Sequence, residues 1–386
     1  MKRLSIFLVL ALLLPAVTRG EEFTEYKFWN EGKLTWDDFQ DTLSLKSVPS
    51  AFIAFLQIEK TKSRDGNTST VRNEAQACFD KRHSFADPTI RTENQLRLFQ
   101  LKYDLLEFYR RRLQTELNLG VVGIEADNRT RQYMDLYKEQ SQKAEEETEH
   151  GQNEERLQEW EFYVTKELID NPAPAVPHIS PRRFGYGFYL GTGASWPVGD
   201  IARYWDPAWQ IHFGFDLGYA NTHLLCDFSA GMARTRQDIN VQKDDIRDTW
   251  YRNGHNTYTS ISLSLGQQLV STKYFALMPY AGCIWSGYSD QVRIPDGSNE
   301  RATLAYTNFN WTAGICFDYR FSNTVSLVPS FWRGHREIFT ASIRTKIFIN
   351  REQFKNFNAI EGDMIRGCKL GFSISCLGFS RLLQIK

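Results

Sequence analysis

After the N-terminal leader the chain has no run of about 18 apolar residues, the length a membrane helix needs, and its mean hydropathy is −0.45. A helical membrane protein is therefore excluded. Charge of one sign is missing too: 46 Lys+Arg balance 46 Asp+Glu, so nothing in bulk draws the chain to nucleic acid. Cysteine is sparse. Cys78, Cys226, Cys283, Cys316, Cys368 and Cys376 include no CxxC pair, and five of them fall in predicted strands. There they read as small fillers, and spacing assigns no disulfide. Proline is rare, yet four of the 12 lie in 171–182. That spacing blocks helix and sheet alike, so the segment reads as a semi-rigid linker and a domain boundary.

Aromatic residues make up 14% of the chain and concentrate after the linker. Before it, Lys2 and Arg3, an apolar run over 6–14 and Thr18-Arg19-Gly20 give residues 1–20 the form of a signal peptide. Residues 21–170 then read as an α+β domain. A short strand and turn are expected over 28–45, and strands over 51–60 and 70–80 joined by the turn SRDGN. From Arg91 the period changes. Leu96, Phe99, Tyr103, Leu106, Tyr109 and Leu113 recur at helical spacing, with charged residues on the other face. Gly120 and Gly123 end that helix, Asn128 or Thr130 can start the next, and a third follows Asn153. The acidic run 145–149 reads as a solvated helix face, and His83 as a surface residue.

Three pieces of this half, LTWDDF (34–39), ACFDKRHSF (77–85) and the helix carrying YDLLEFYRRRL (103–113), precede EETEHGQNEERLQEWEFYVTKEL (146–168). In this order they resemble a family of exported bacterial domains held to be zinc-dependent proteases. That family carries HExxHFD on the helix and a TxHG segment before a tryptophan-bearing helix. The resemblance implies an exported bacterial domain. It also exposes a departure: where HExxH should stand, this chain has Leu98-Phe99-Gln100-Leu101-Lys102. Zinc hydrolysis needs two neutral imidazoles four residues apart and a glutamate base. Leucine has no lone pair, an ammonium repels the ion, and phenylalanine accepts no proton. Only His150, at the TxHG position, matches a ligand. The site is thus vestigial (Leu98, Phe99, Lys102, His150), or this helix was never catalytic. Either way no enzyme, metal or cofactor is expected.

Residues 183–386 read as an antiparallel transmembrane β-barrel. In 209–219 every odd position is apolar (Trp209, Ile211, Phe213, Phe215, Leu217, Tyr219), and every even one is polar or glycine. The same two-residue period recurs in FGYGFYLGTGASW, HLLCDFSAGMA, YTSISLSLGQQL and NFNWTAGICFDYRF. Further candidate strands are 274–288, of unclear parity, 325–332, 339–349 and 368–379. Connections alternate between short (220–222, 271–273, 322–324) and long (197–208, 234–255, 289–303), as in outer-membrane barrels. Nine candidates must become an even number. Eight is favoured, with 325–349 as one interrupted strand or hairpin extension, and ten is the alternative. The final strand resembles a barrel-insertion signal ending at Phe379, with SRLLQIK beyond it. An eight-stranded interior is filled by side chains, so Asp216, Asp227, Asp318, Arg320 and Arg344, all of inward parity, are expected to neutralise one another there.

The barrel half resembles small OmpA/OmpX-like barrels. The expected function is non-enzymatic: a barrel anchoring a periplasmic pseudo-protease-like domain that binds or scaffolds. A transporter or small-solute channel is the alternative, and a hydrolase with an unrecognised site is the remaining reading. The implied partners are outer-membrane lipid and a periplasmic protein or cell-wall component, not nucleic acid.

Overall fold

The computed structural model describes residues 25–41, 49–243, 246–293, 301–329 and 336–385. The leader read at 1–20 and residues 42–45 of the first predicted turn lie outside them. The chain divides into two units, Met1–Glu59 with Glu74–Pro174, and Lys60–Asn73 with Ala175–Lys386. No described helix is long and apolar enough to cross a membrane.

In chain order the first half carries β1 (Tyr26–Phe28), β2 (Ser50–Ala51), β3 (Ala54–Asp65), β4 (Thr68–Asp80), β5 (Phe85–Ala86), α1 (Glu93–Leu119), α2 (Ile124–Glu147) and α3 (Glu154–Asp170). Within the first unit, β1 pairs with the end of β4 (Phe28↔Cys78) and β2 with β5. The predicted stripe of α1 becomes a core: Phe99, Tyr103, Leu106, Tyr109 and Leu113 are buried with Phe39, Phe79, Leu157 and Trp160, and Leu96 packs against them partly buried. Thr92 caps the helix by accepting from the Gln95 amide at 3.2 Å. Gly120 ends it at φ +115°, a left-handed position that suits glycine.

Two boundaries differ from the sequence reading. Ser63, Arg64 and Asp65 are strand rather than turn, because Gly66 (φ +58°) and Asn67 alone reverse the hairpin. Asn128 and Thr130 lie inside α2, which starts at Ile124 after Gly123. Thr130 donates to the Ala126 carbonyl at 2.9 Å instead of capping, while Glu125 and Asp127 supply first-turn negative charge.

The second unit contains β6 (Ile179–Gly199), β7 (Ala208–Tyr219), β8 (Thr222–Arg234), β9 (Ile239–Lys243), β10 (Ile246–Trp250), β11 (His255–Gln267), β12 (Val270–Ser271), β13 (Phe275–Arg293), β14 (Arg301–Ser326), β15 (Glu337–Lys355) and β16 (Met364–Ile385). Eight of these close a ring. The order is β6-β7-β8-β11-β13-β14-β15-β16, every pair antiparallel, and β16 returns to β6 from Gly367↔Gly199 to Leu383↔Pro181. The outer hairpin β9–β10 lies in the long connection between β8 and β11.

Here too the boundaries shift. β6 takes up the last residues of the proline-rich segment, and β16 runs on through Ser380–Leu383 because those residues give it a partner past a bulge between Arg381 and Leu383. The expected turn 322–324 is strand, and no separate strand starts at Val325; residues 330–332 of that candidate lie outside the described ones. Past a bulge at Arg320/Ser322, β14 keeps β15 on one edge (Val325↔Ile338) and takes Thr68–Val71 in parallel on the other (Val325↔Thr70). Both edges of the extension are therefore paired, which removes the liability of a free edge.

The exterior keeps the predicted parity. Along β7 exposure alternates residue by residue, from Trp209 at 72% to Tyr219 at 60%. Ten residue steps at about 3.3 Å, tilted about 40°, span about 25 Å, the height of the apolar band of a lipid-facing barrel. Phe309, Trp311, Ile315, Phe317, Tyr319 and Phe321 repeat the pattern on β14. Register also settles β13: Tyr280, Ile284 and Tyr288 point inward and Trp285 outward. An apolar outside around a polar inside is the pattern of a membrane-spanning barrel, reversed from a soluble protein.

Candidate functional site

The lumen is the one place where this unit concentrates polar chemistry, and it is filled in layers. At the long-loop end Trp205 stacks on Tyr288 with ring centroids 4.0 Å apart, and Phe354, Phe357, Trp250 and Tyr306 pack around them. Just below, Lys369 lies 2.9 Å above the Tyr258 ring and 3.7 Å from the Glu352 carboxylate, which accepts from Tyr258 Oη at 3.1 Å. All three side chains are fully buried.

The middle layer is set by register. Tyr189, Gly214 and Asp227 lie in one row across β6, β7 and β8. A side chain at 214 would come within 2.5 Å of the Tyr189 phenol, so glycine there leaves room for Tyr189 to donate to Asp227. Lys346 pairs with the same carboxylate and donates to Tyr189 Oη at 2.9 Å.

The third layer is centred on Arg344. Its fork meets Asp318 at 2.8 and 2.9 Å, and its Nη2 lies 2.7 Å from Asp216 Oδ2, poorly angled for a hydrogen bond. Asp216 also accepts from His223 Nδ1 at 2.6 Å. A guanidinium between two carboxylates offsets much of the desolvation that any one of them alone would suffer.

Of the five polar residues read from parity, Arg344, Asp216 and Asp318 thus form one cluster, and Asp227 belongs to another with Lys346. Arg320 joins neither. Its Nη1 donates to Ser271 Oγ and the Thr272 carbonyl at 3.1 and 2.8 Å. Sequence reading missed Tyr189, His223, Lys346, Glu352 and Lys369. Parity offered a signal for four of them: Lys346 is two residues from Arg344 on the same face, His223 has the parity of Asp227, Tyr189 that of Gly187 and Gly191, and Lys369 that of Gly371. Glu352 fell beyond the expected end of its strand at 349.

Below Arg344, at the short-turn end, is a cavity of about 200 Å³ lined by Asp216, His223, Asp318, Arg320, Arg344 and Arg381 among others.

In the first unit the four vestigial positions converge. Leu98 is fully buried and packs toward Gly151, while Phe99 lies in the aromatic core with Phe39 and Phe52. Lys102 donates to Glu145 Oε2 at 2.9 Å, and His150 Nδ1 lies 3.3 Å from Glu145 Oε1. One carboxylate therefore joins the two positions, with an ammonium on one of its oxygens. Zinc does not fit this donor set, and among the described residues no other cluster offers three metal-ligating side chains. The acidic run is also not wholly solvated, since Glu147 accepts from Trp160 Nε1 at 2.9 Å. Burial works against ionised Glu145, but Lys102 and then His150 outweigh it and hold its carboxyl below the ordinary value. Burial pushes Asp104 the other way, above its ordinary value, although it accepts from Trp29 Nε1 and Gln100. His83 is mostly exposed and rests on Asp80 at 2.8 Å.

No family model matches the chain, and no curated protein matches it. Solved structures similar to its barrel half include the Yersinia pestis attachment invasion locus protein Ail, in complex with the heparin analogue sucrose octasulfate. The identity is 9% and the TM-score 0.27, covering 51% of this chain and 99% of that one. The N-terminal barrel domain of Pseudomonas aeruginosa OprF has 11% identity over 51% of this chain and 99% of its own, with a TM-score of 0.21. The outer-membrane protein AlkL, solved in lipid bilayers, has 10% identity over 56% and 96%, with a TM-score of 0.20. At these values the likeness adds nothing to what the strand geometry already establishes.

Two outcomes are expected. Arg344→Met leaves buried Asp318 without its ion pair and Asp216 with His223 alone, and should lower unfolding stability in detergent by about 3–5 kcal/mol. Adding Asp216→Asn and Asp318→Asn should recover most of that loss; urea titration of the single and triple variants measures both. For Glu145 the lowered value means that its stabilisation is present above the ordinary carboxylate range and is lost as pH falls through the lowered one. Amide protection of α1 around Lys102 in the full-length protein should therefore drop on acidification in the wild type and change less in Glu145→Gln, as read by hydrogen exchange.

Proposed function

We propose that the chain is a non-enzymatic outer-membrane protein whose barrel anchors a periplasmic domain, and that this domain binds a partner protein or a cell-wall component. The observation that carries the reading is the filled lumen. From the Trp205–Tyr288 stack to Arg344, aromatic packing and ion pairs occupy the interior layer by layer, which leaves an anchor rather than a conduit as the role of the wall. The first unit supports the non-enzymatic part, because Leu98 and Lys102 cannot hold zinc and Phe99 cannot act as its base. A wall without a passage and a helical unit without a catalytic site together favour recognition over transport or hydrolysis.

Planar-bilayer recordings of the full-length protein test this directly. A barrel that is folded by its heat-modifiable migration should insert and remain silent. Discrete conductance steps from the same preparation would overturn the anchor reading in favour of a channel.

A further inference from the structure

The charges of the lumen do not all find partners. Arg344 is matched by Asp216 and Asp318, Lys346 by Asp227, and Lys369 by Glu352. Arg320 and Arg381 have no carboxylate within 4 Å among the described residues, although both line the cavity at the short-turn end. Each is held through one nitrogen only. Arg320 uses Nη1 on Ser271 and Thr272, and Arg381 uses Nη2 on the Ala220 carbonyl at 2.7 Å. The remaining donors of both forks meet no protein acceptor. Around them sit a third guanidinium and only two carboxylates, and those two already serve Arg344.

Two further groups of this cavity lack partners. His223 Nε2 and Arg344 Nη1 make no hydrogen bond, on side chains only 5% and 1% exposed. A cavity of about 200 Å³ is too large to be dismissed as a packing gap, since one water needs about 30 Å³. With three guanidiniums against two carboxylates, its lining carries a positive excess that draws anions.

We propose that this cavity is a binding site for a small oxyanion of the phosphate class, gripped by Arg320 and Arg381 below the Arg344 cluster. Guanidinium forks match tetrahedral oxyanions through paired charge-assisted hydrogen bonds. Two sources share this chemistry: a free phosphate-bearing solute, and the phosphate of a lipid headgroup at the membrane surface. The site goes beyond the anchoring role, because a barrel can be silent in a bilayer and still hold an anion at one mouth.

The test uses full-length protein in dodecyl maltoside. Inorganic phosphate is titrated calorimetrically, and co-purified lipid is read by native mass spectrometry after incubation with equal phosphatidylglycerol and phosphatidylcholine. Wild-type protein should bind phosphate with one-to-one saturation, or retain phosphatidylglycerol selectively. The first outcome identifies a solute site and the second a headgroup site. The double variant Arg320→Gln/Arg381→Gln should lose at least tenfold in whichever response the wild type shows. Arg234→Gln, whose side chain contacts Asn253 at the opposite end of the barrel, should leave the response unchanged. Heat-modifiable migration checks that both variants are folded. Absence of both responses in the wild type, or a response that survives the double variant, overturns the site.

Discussion

Closing eight strands into a ring leaves an interior only wide enough for side chains, and Arg344 between Asp216 and Asp318 shows what that constraint demands. A charge buried deep in such an interior is shielded from water, so an opposite charge close by offsets much of its cost. Each polar layer of the lumen obeys this rule: Lys369 meets Glu352, Lys346 meets Asp227, and Arg344 meets two aspartates. Gly214 belongs to the same rule, because a side chain there would displace the phenol that completes the middle layer. The wall and its contents are thus one design. Outward parity supplies the apolar band and inward parity the ion pairs.

The first unit solves a related problem differently. Here α1 meets the end of α2 and the turn after it with Lys102 and Leu98. The space is closed by packing Leu98 toward Gly151 and by setting the Lys102 ammonium on Glu145. The Lys102–Glu145 ion pair sits beside a full hydrophobic core.

Much of this was legible in the chain. Strict alternation over 209–219 gave the orientation of β7, and parity alone picked out Arg344, Asp216, Asp318 and Asp227 as lumen residues. Pairing was not legible. That Asp227 belongs with Lys346 rather than Arg344 depends on register, which alternation leaves free by any even number of residues. The strand ends were misread for the same reason. Ser322, Asn323 and Thr324 have turn-like composition, yet they extend β14 because β15 and the hairpin tip supply partners on both edges. Glu352 was lost with the strand end that carries it, beyond the expected end at 349. In the helical half, Gly123 beside Ile124 started α2 without a polar cap, so the better capping residues Asn128 and Thr130 misled the reading.

The reading of the wall rests on the odd positions of β7 facing hydrocarbon. A spin-label scan along 209–219 in lipid nanodiscs reads this residue by residue. The account predicts that oxygen accessibility oscillates with a period of two, high at 211, 213, 215 and 217 and low at 210, 212, 214 and 216, with the odd positions shielded from a water-soluble nickel reagent. Odd positions that the nickel reagent reaches freely, or accessibility without alternation, would contradict a membrane-spanning barrel.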